Sequence, residues 1–372
     1  MLHEVSFKSF NERDTVYGWI YVPACEPKGI VQLIHGFGEH SRRYFHLIVR
    51  LMEAGYIVAA DDHVGHGKTA LENNTWGDWG NQGFHTMMED EHQLKALVSE
   101  LYPNLPYFLY GHSMGSMIAR DFMTKYGEEL TGATICGTCG VFPIAEETIA
   151  KIDRLIDEGK GDAADPDLGG ELLGWMCGRC GEIKIGNEWI CHDPYVQQDH
   201  AADPFDAFTK PTTNRSMKYF VEMIKSIEGK EWAAKVPTDL PIYNIAGDQD
   251  PVGMYGEGVY QVSNWLAETG HEDVTTELYT GFRHEIHNYA EIKDDVADGI
   301  IEFMDESRCD KLLQRHLGKE LGNRAEQFRA DFQRVKQLFR AIRHGLNQNT
   351  AGGNDVFTHQ CAQRAQGRRL FG

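Results

Sequence analysis

The sequence predicts an α/β domain built on a mainly parallel sheet and interrupted once by a helical insertion. Three observations carry that expectation. Gly29-Ile30-Val31-Gln32-Leu33-Ile34 is a nearly continuous apolar run, the pattern of a strand covered on both faces. Downstream of it, short apolar runs alternate with stretches of helical periodicity, as βαβ units require. Between about residues 141 and 236 the alternation lapses, and then it returns.

The elements follow in order. Residues 5–10 alternate in hydropathy, residues 16–22 form a second apolar run, and 23–29 make a turn into the strand at 29–34. Residues 43–54 read as a helix, with Phe45, Ile48, Val49 and Met52 on one face and Gly55 closing it. A strand at 56–60, a helix at 87–101, a strand at 107–110, a helix at 114–126 and a strand at 133–136 continue the series. In the insertion, Ile149/Ile152/Ile156 and Met217/Phe220/Val221/Ile224/Ile227 mark amphipathic helices around a Gly- and Asp-rich middle. The α/β pattern resumes with a strand at 241–246, a helix at about 258–268, a strand at 274–279 and a helix at about 286–304. The expected division is therefore a core at 1–140 and 237–306, a cap at 141–236, a basic amphipathic helix at 307–346 and a disordered tail at 347–372. No internal repeat is apparent.

Composition narrows the function classes. The chain has 372 residues and a net charge of −20, which argues against nucleic acid, since phosphate contacts need clustered Lys and Arg. The charge is uneven. From Lys311 to Gly372 there are 12 basic and 4 acidic residues, a net +8, which leaves −28 on the rest. This basic end suggests either contact with a partner or lipid surface, or a helix lying on the acidic body. No signal-like leader and no run of ~20 apolar residues is seen, so the expectation is a cytoplasmic enzyme. Its eight cysteines are expected to be reduced. Oligomeric state is left open.

The chemistry lies at strand ends. Gly111-His112-Ser113-Met114-Gly115 fits G-x-S-x-G and sits between an apolar strand and a helical pattern, the setting of a nucleophile elbow. Glycines flank the serine because a strained strand-to-helix turn has no room for neighbouring side chains. Such a serine needs an oxyanion hole, built from the N–H after the nucleophile, here Met114, and one from the loop after an earlier strand, here Phe37. An acid and then a histidine should follow in chain order. Asp248 and Asp250 lie on a loop after one strand and His284 on the loop after the next. Asp250, before Pro251, is the expected acid; Asp248 is expected to accept backbone N–H groups in its turn.

His35-Gly36-Phe37-Gly38-Glu39-His40-Ser41-Arg42-Arg43-Tyr44, Asp61-Asp62-His63-Val64-Gly65-His66-Gly67 and the G-x-S-x-G segment, with Gly247-x-x-Asp250-Pro251-Val252 and Arg283-His284-Glu285, resemble the monoacylglycerol lipase and lysophospholipase branch of the α/β-hydrolases. The likeness spans roughly residues 5–304. It implies an eight-stranded, mostly parallel sheet with a helical cap, no metal or other cofactor, and ester hydrolysis through an acyl-serine with Ser113, Asp250 and His284 as triad. A monoacylglycerol or lysophospholipid is the implied substrate class, with His112, Phe220 and Ile224 expected to contact it. Two positions depart from the pattern: His63-Val64 stands where many relatives have His-Arg or Tyr-Arg, and the bulky Phe37 narrows the oxyanion loop.

Other readings use the same residues. Small-ester, amide or perhydrolase chemistry would need the same triad, and a catalytically silent scaffold that binds through its cap would keep the fold. Gly65-His66-Gly67-Lys68-Thr69 ends like a phosphate-binding loop but has Asp62 where the motif needs glycine. Cys177, Cys180, Cys191 and His192 have zinc-ligand chemistry, although spare thiols are the simpler expectation.

Overall fold

The computed structural model describes residues 1–320 apart from 183, 185 and 207–209. Two compact units divide the chain, Met1–Cys309 and Asp310–Gly372. The first holds the whole sheet. Of the second, only the helical backbone of residues 310–320 is described. The expected stripe from Leu317 to Ile342 and the tail at 347–372 lie outside the residues with described side chains.

The strands are β1 (Leu2–Lys8), β2 (Thr15–Tyr21), β3 (Gly29–Ile34), β4 (Tyr56–Asp62), β5 (Tyr107–His112), β6 (Gly132–Cys136), β7 (Ile242–Gly247) and β8 (Val274–Tyr279). They form one sheet in the order β1-β2-β4-β3-β5-β6-β7-β8. The β1–β2 and β2–β4 pairings are antiparallel and all others parallel. Helices α1 (Phe45–Glu53), α2 (Gly67–Asn73), α3 (Thr86–Leu101) and α4 (Met114–Tyr126) connect the first strands. Between β6 and β7 come α5 (Ala145–Asp157), α6 (Pro166–Met176), α7 (Pro194–Ala202), α8 (Asn214–Ser226) and α9 (Gly229–Ala233). Then follow α10 (Glu257–Glu268) and α11 (Lys293–Glu320).

Every residue of β3, β4, β5, β6 and β7 is buried, which explains their near-continuous apolar sequence. Ile30, Ile34 and Leu109 face one layer, with α4, and Val31, Leu33 and Phe108 face the other, with α1 and α11. Each such side chain contributes roughly 1.5–3 kcal/mol by leaving water. β3 has β4 on one side and β5 on the other. The chain leaves β3 in one direction and returns past it in the other, so a crevice opens at the C-terminal ends of β3 and β5.

Several boundaries differ from the sequence reading for local reasons. The expected helix at 43–54 starts as a 3-10 turn, Ser41–Tyr44, and becomes α-helical at Phe45. The helix expected from 286 likewise opens with a 3-10 turn at Ile286–Asn288, and α11 then runs without a break through position 306. α2 was not anticipated. It is only seven residues long and starts at a glycine with φ +49°, where the Asp62 carboxylate, which accepts Lys68 N–H, leaves no room for a Cβ.

Arg120 on α4 joins the sheet layer to the insertion. It is fully buried, donates to Cys139 O at 2.7 Å and to Ile227 O, and stacks on Trp232 with its guanidinium carbon 4.3 Å from the ring centroid. Arg120→Met should keep the stem packing but strand these carbonyls without donors. A loss of about 2–4 kcal/mol is expected in urea unfolding; a loss below about 0.5 kcal/mol would show that the carbonyls find other partners.

Candidate active site

Ser113 is the residue between β5 and α4, and its backbone is strained: φ is +56° and ψ −123°. Its neighbours are buried while Ser113 itself stays partly exposed. Two glycines permit this turn. A Cβ on Gly111 would run into the Gly115 carbonyl, and one on Gly115 would overlap the carbonyl oxygen of Ile34 at the end of β3. The serine N–H donates to Cys136 O at 2.9 Å, which ties the turn to the end of β6.

His284 comes to the same place from the loop after β8. Its Nδ1 lies 2.9 Å from Asp250 Oδ2, both groups being buried. A carboxylate only accepts, so Nδ1 carries the hydrogen and Nε2 presents its lone pair. Nε2 is buried and has no protein partner. A Cβ on Gly137, the residue after β6, would sit 2.9 Å from His284 Cε1, so the ring rests against the strand end that also holds Ser113. Burial pulls the imidazole pKa down, but the charge and hydrogen bond of Asp250 outweigh it and hold His284 above the ordinary 6.5. Asp250 Oδ1 accepts Val252 N–H at 2.9 Å, which fixes the carboxylate. Asp248 is elsewhere: its Oδ1 accepts Gly281 N–H at 2.7 Å, bracing the histidine loop through its backbone.

The loop after β3 faces Ser113. A Cβ on Gly36 would meet Ser113 Cβ at 3.0 Å. Gly36 N–H donates to Glu39 Oε1 at 2.6 Å, which curls the loop and leaves Phe37 at its tip. Met114 N–H is the first of α4, where helical pairing has not begun. The Phe37 ring meets Phe220 at 5.2 Å, His66 at 5.9 Å and Trp79 at 6.2 Å between centroids.

Two of the expected substrate contacts, His112 and Ile224, are buried. His112 is buried beneath the site, with Nδ1 2.7 Å from Tyr44 Oη and Nε2 3.2 Å from the His284 carbonyl. Both ring nitrogens are occupied, so it supports the histidine loop. Ile224 is buried in the core, because α8 turns that side of its stripe inward. Phe220, on the same helix, is only partly buried and reaches the Phe37 ring.

Residues outside the expected set complete the floor. Glu39 takes hydrogen bonds from Gly36 and Tyr44; burial would raise its pKa, but His112 and Arg43 hold it well below the carboxylate range. Arg43, also buried, bridges Glu39, Asp206 and Glu285. Their signal in the sequence was charge directly behind a buried strand. Trp189, from the insertion, lies over His284 with ring centroids 5.1 Å apart. It stands in an aperiodic stretch that gave no signal. The backbone bond from Glu285 N–H to Ile190 O, at 2.8 Å, fastens that stretch to the histidine loop.

Among the described residues, three groups have the donors for a metal: His112/Cys136/His287, His40/Asp203/Asp206 and Asp61/His63/Glu91. The insertion cysteines form none of them. Cys180 Sγ sits 3.5 Å from Tyr255 Oη, and Cys191 Sγ accepts Asp193 N–H. His112 is spent on Tyr44 and His284, and His40 on Asp203 at 2.9 Å.

The chain is similar in sequence and fold to known proteins. Residues 25–291 match the family described as serine aminopeptidase, S33. A monoacylglycerol lipase of Mycolicibacterium smegmatis is 26% identical over 293 residues, 76% of this chain and 91% of that protein. The human monoglyceride lipase is 42% identical over 97 residues, 26% of this chain and 30% of its own length. A thermostable carboxyl esterase from Bacillus coagulans, solved in complex with glycerol, superposes with a TM-score of 0.81 at 56% identity, over 82% of this chain and 99% of that one.

The glycines offer a paired check. Gly115→Ala should leave little folded protein, because the Ile34 carbonyl belongs to the central strand and cannot retreat. Gly170→Ala, in α6 with nothing within 4 Å of the new methyl, should instead stabilise by about 0.5–1 kcal/mol. Thermal unfolding of both distinguishes backbone crowding at the serine turn from general intolerance of alanine.

Proposed function

This chain belongs to the serine aminopeptidase S33 family, in the monoacylglycerol lipase-like branch of the α/β-hydrolases, and is a carboxylic ester hydrolase; we propose that it cleaves monoacylglycerol-type esters through an acyl intermediate on Ser113. The observation that carries the proposal is the Asp250–His284 pair, which leaves a lone-pair nitrogen free beside the strained serine turn.

In this reading His284 Nε2 removes the proton of Ser113 Oγ as the oxygen attacks the ester carbonyl. The carbonyl oxygen becomes an oxyanion that the N–H groups of Phe37 and Met114 stabilise. When the tetrahedral intermediate collapses, the C–O bond to the alcohol breaks, and the imidazolium returns the proton to the leaving alkoxide. Water then repeats the sequence on the acyl-serine, releasing the acid and regenerating Ser113. Asp250 keeps the imidazole in the required tautomer and offsets its charge.

The substrate class rests on the surroundings of the serine. Phe37, Trp79 and Phe220 make an apolar wall suited to an acyl chain, and the insertion that carries Phe220 acts in this reading as a lid. The relatives with this chemistry are named monoacylglycerol lipases, and the esterase solved with glycerol accommodates the corresponding alcohol. Lysophospholipid would present the same ester beside a charged head group. Small esters and amides would use the same triad, and a panel of acetyl, decanoyl and glyceryl esters with a matched anilide ranks them. The monoacylglycerol reading requires the glyceryl ester of a medium or long acid to lead that panel. A silent scaffold would fail to label with a fluorophosphonate probe.

Ser113→Ala should lose probe labelling and nearly all ester turnover while keeping its melting temperature. Asp250→Asn should lower kcat by about 10⁴, the scale set by the serine-protease precedent for a mispaired imidazole. Asp248→Asn should cost about tenfold or less, a barrier change of ~1.4 kcal/mol from a loosened loop. If Asp248→Asn proved the inactive variant, the acid would be misassigned.

The same pair sets a pH dependence. Only neutral His284 can accept the serine proton, and Asp250 holds its pKa above the usual value. Hydrolysis of a soluble ester should therefore rise with pH and reach half-maximum above about 6.5. A midpoint below 6 in kcat/KM would contradict the assignment of His284 as base.

A further inference from the structure

Behind the loop after β3 lies a group of ionisable side chains that the ester chemistry does not use. Asp61 on β4, His63 just after it and Glu91 on α3 are 0%, 2% and 0% exposed. His63 Nδ1 lies 3.2 Å from Asp61 Oδ1 and 3.3 Å from Glu91 Oε1. Neither oxygen of Asp61 has a hydrogen-bond partner, and neither does Glu91 Oε1 or His63 Nδ1. Among the described residues no Lys or Arg forms an ion pair with either carboxylate.

Such an arrangement is costly unless something is shared between the groups. A buried carboxylate oxygen without a donor forfeits its hydration, and here such oxygens from two carboxylates converge on one ring nitrogen. The ring orientation says which face is available. His63 Nε2 lies 3.2 Å from His35 O, an acceptor, so Nε2 holds the hydrogen and Nδ1 points a lone pair at the carboxylates. Gln32 donates to the other oxygen of Glu91 and Tyr107 to Gln32, an outer layer that orients the carboxylate.

We propose that Asp61, His63 and Glu91 bind one divalent transition-metal ion of the zinc or manganese class, as a structural site. Two carboxylates and a neutral imidazole balance its charge, and one nitrogen with two carboxylate oxygens suits these ions better than magnesium or calcium. Tetrahedral zinc with bonds of about 2.0–2.1 Å separates its ligand atoms by about 3.3 Å. The two measured edges of this group, 3.2 and 3.3 Å, have that length. The ion stands behind His35, whose ring stacks on His63 at 3.8 Å and accepts His63 N–H at 3.0 Å. It therefore stiffens the end of β3 from which Gly36 and Phe37 depart. The alternative is a proton held between Asp61 and Glu91, with no ion.

Metal analysis separates these. The full chain, produced without a polyhistidine tag in medium containing zinc and manganese, is passed over chelating resin and measured by inductively coupled plasma mass spectrometry. About one equivalent of one metal per chain is expected. Asp61→Asn and Glu91→Gln should each bring it to background, and Cys177→Ser with Cys180→Ser should not. The absorption edge of that metal should show a nitrogen and oxygen shell without sulfur. Wild-type protein at background, also after refolding in zinc chloride or manganese chloride, overturns the proposal, as does metal retained in folded Asp61→Asn. If the variants do not fold, the wild-type content and its absorption shell decide. Metal-free wild type with Asp61→Asn melting as high or higher identifies the shared proton instead.

Discussion

The first turn of α4 passes so close to the last residue of β3 that Gly115 has its Cα against the Ile34 carbonyl. This approach sets the geometry of everything above it. It brings the loop after β3 to Ser113, so that Gly36 and the serine Cβ are in contact, and it forces the serine into a positive φ with a ψ of −123° that only surrounding structure can hold. The strand order supplies the crevice, because β3 is flanked by β4 and β5 and the chain turns away on both sides. Backbone crowding at one glycine and a reversal of strand order at one strand therefore fix where Ser113 and the loop after β3 can meet.

Beneath that surface, charge joins loops that are far apart in sequence. Arg43 lies between Glu39, Asp206 and Glu285, and so links the loop after β3, the insertion and the segment just after His284. His112 adds a second link, from Tyr44 to the carbonyl of His284. Buried ions of this kind contribute little net stability, since desolvation offsets their attraction. What they supply is position. The imidazole that pairs with Asp250, and in the proposed reaction serves Ser113, is held by its backbone as well as by its ring, and the network is what holds that backbone.

The legible part of this protein was its strand ends. β3, α4 and β8 fall at the residues the hydropathy pattern indicates, because buried elements write their burial into the sequence: β3 is covered along its length and α4 from Met114 to Met123, with β8 half-buried. Ser113, Asp250 and His284 stood out because each follows such a strand. His112 and Ile224 show the limit. A residue inside a motif or on an apolar stripe can face either the site or the core, and periodicity names the stripe without saying which of its edges is covered. Trp189 shows a second limit, since its position over His284 depends on a long-range backbone bond, Glu285 N–H to Ile190 O, that leaves no local trace. α2 was hidden by its length, too short for a helical period to develop.

The insertion is fastened on two flanks, one of them the histidine loop. Glu285 N–H binds Ile190 O, Arg283 donates to the carbonyls of Glu188 and Cys180, and Tyr289 Oη accepts His192 N–H at 2.9 Å. On the opposite flank α8 is fastened too, because Trp79 N–H donates to Ser216 Oγ at 2.9 Å and Thr213 N–H to Gly77 O at 3.0 Å, while Phe220 meets Phe37 by ring contact. Ring contacts slide at little cost, whereas directional bonds do not. The rings of Phe37 and Phe220 can therefore part by side-chain rotation while both edges of the insertion stay bonded and His284 stays covered by Trp189.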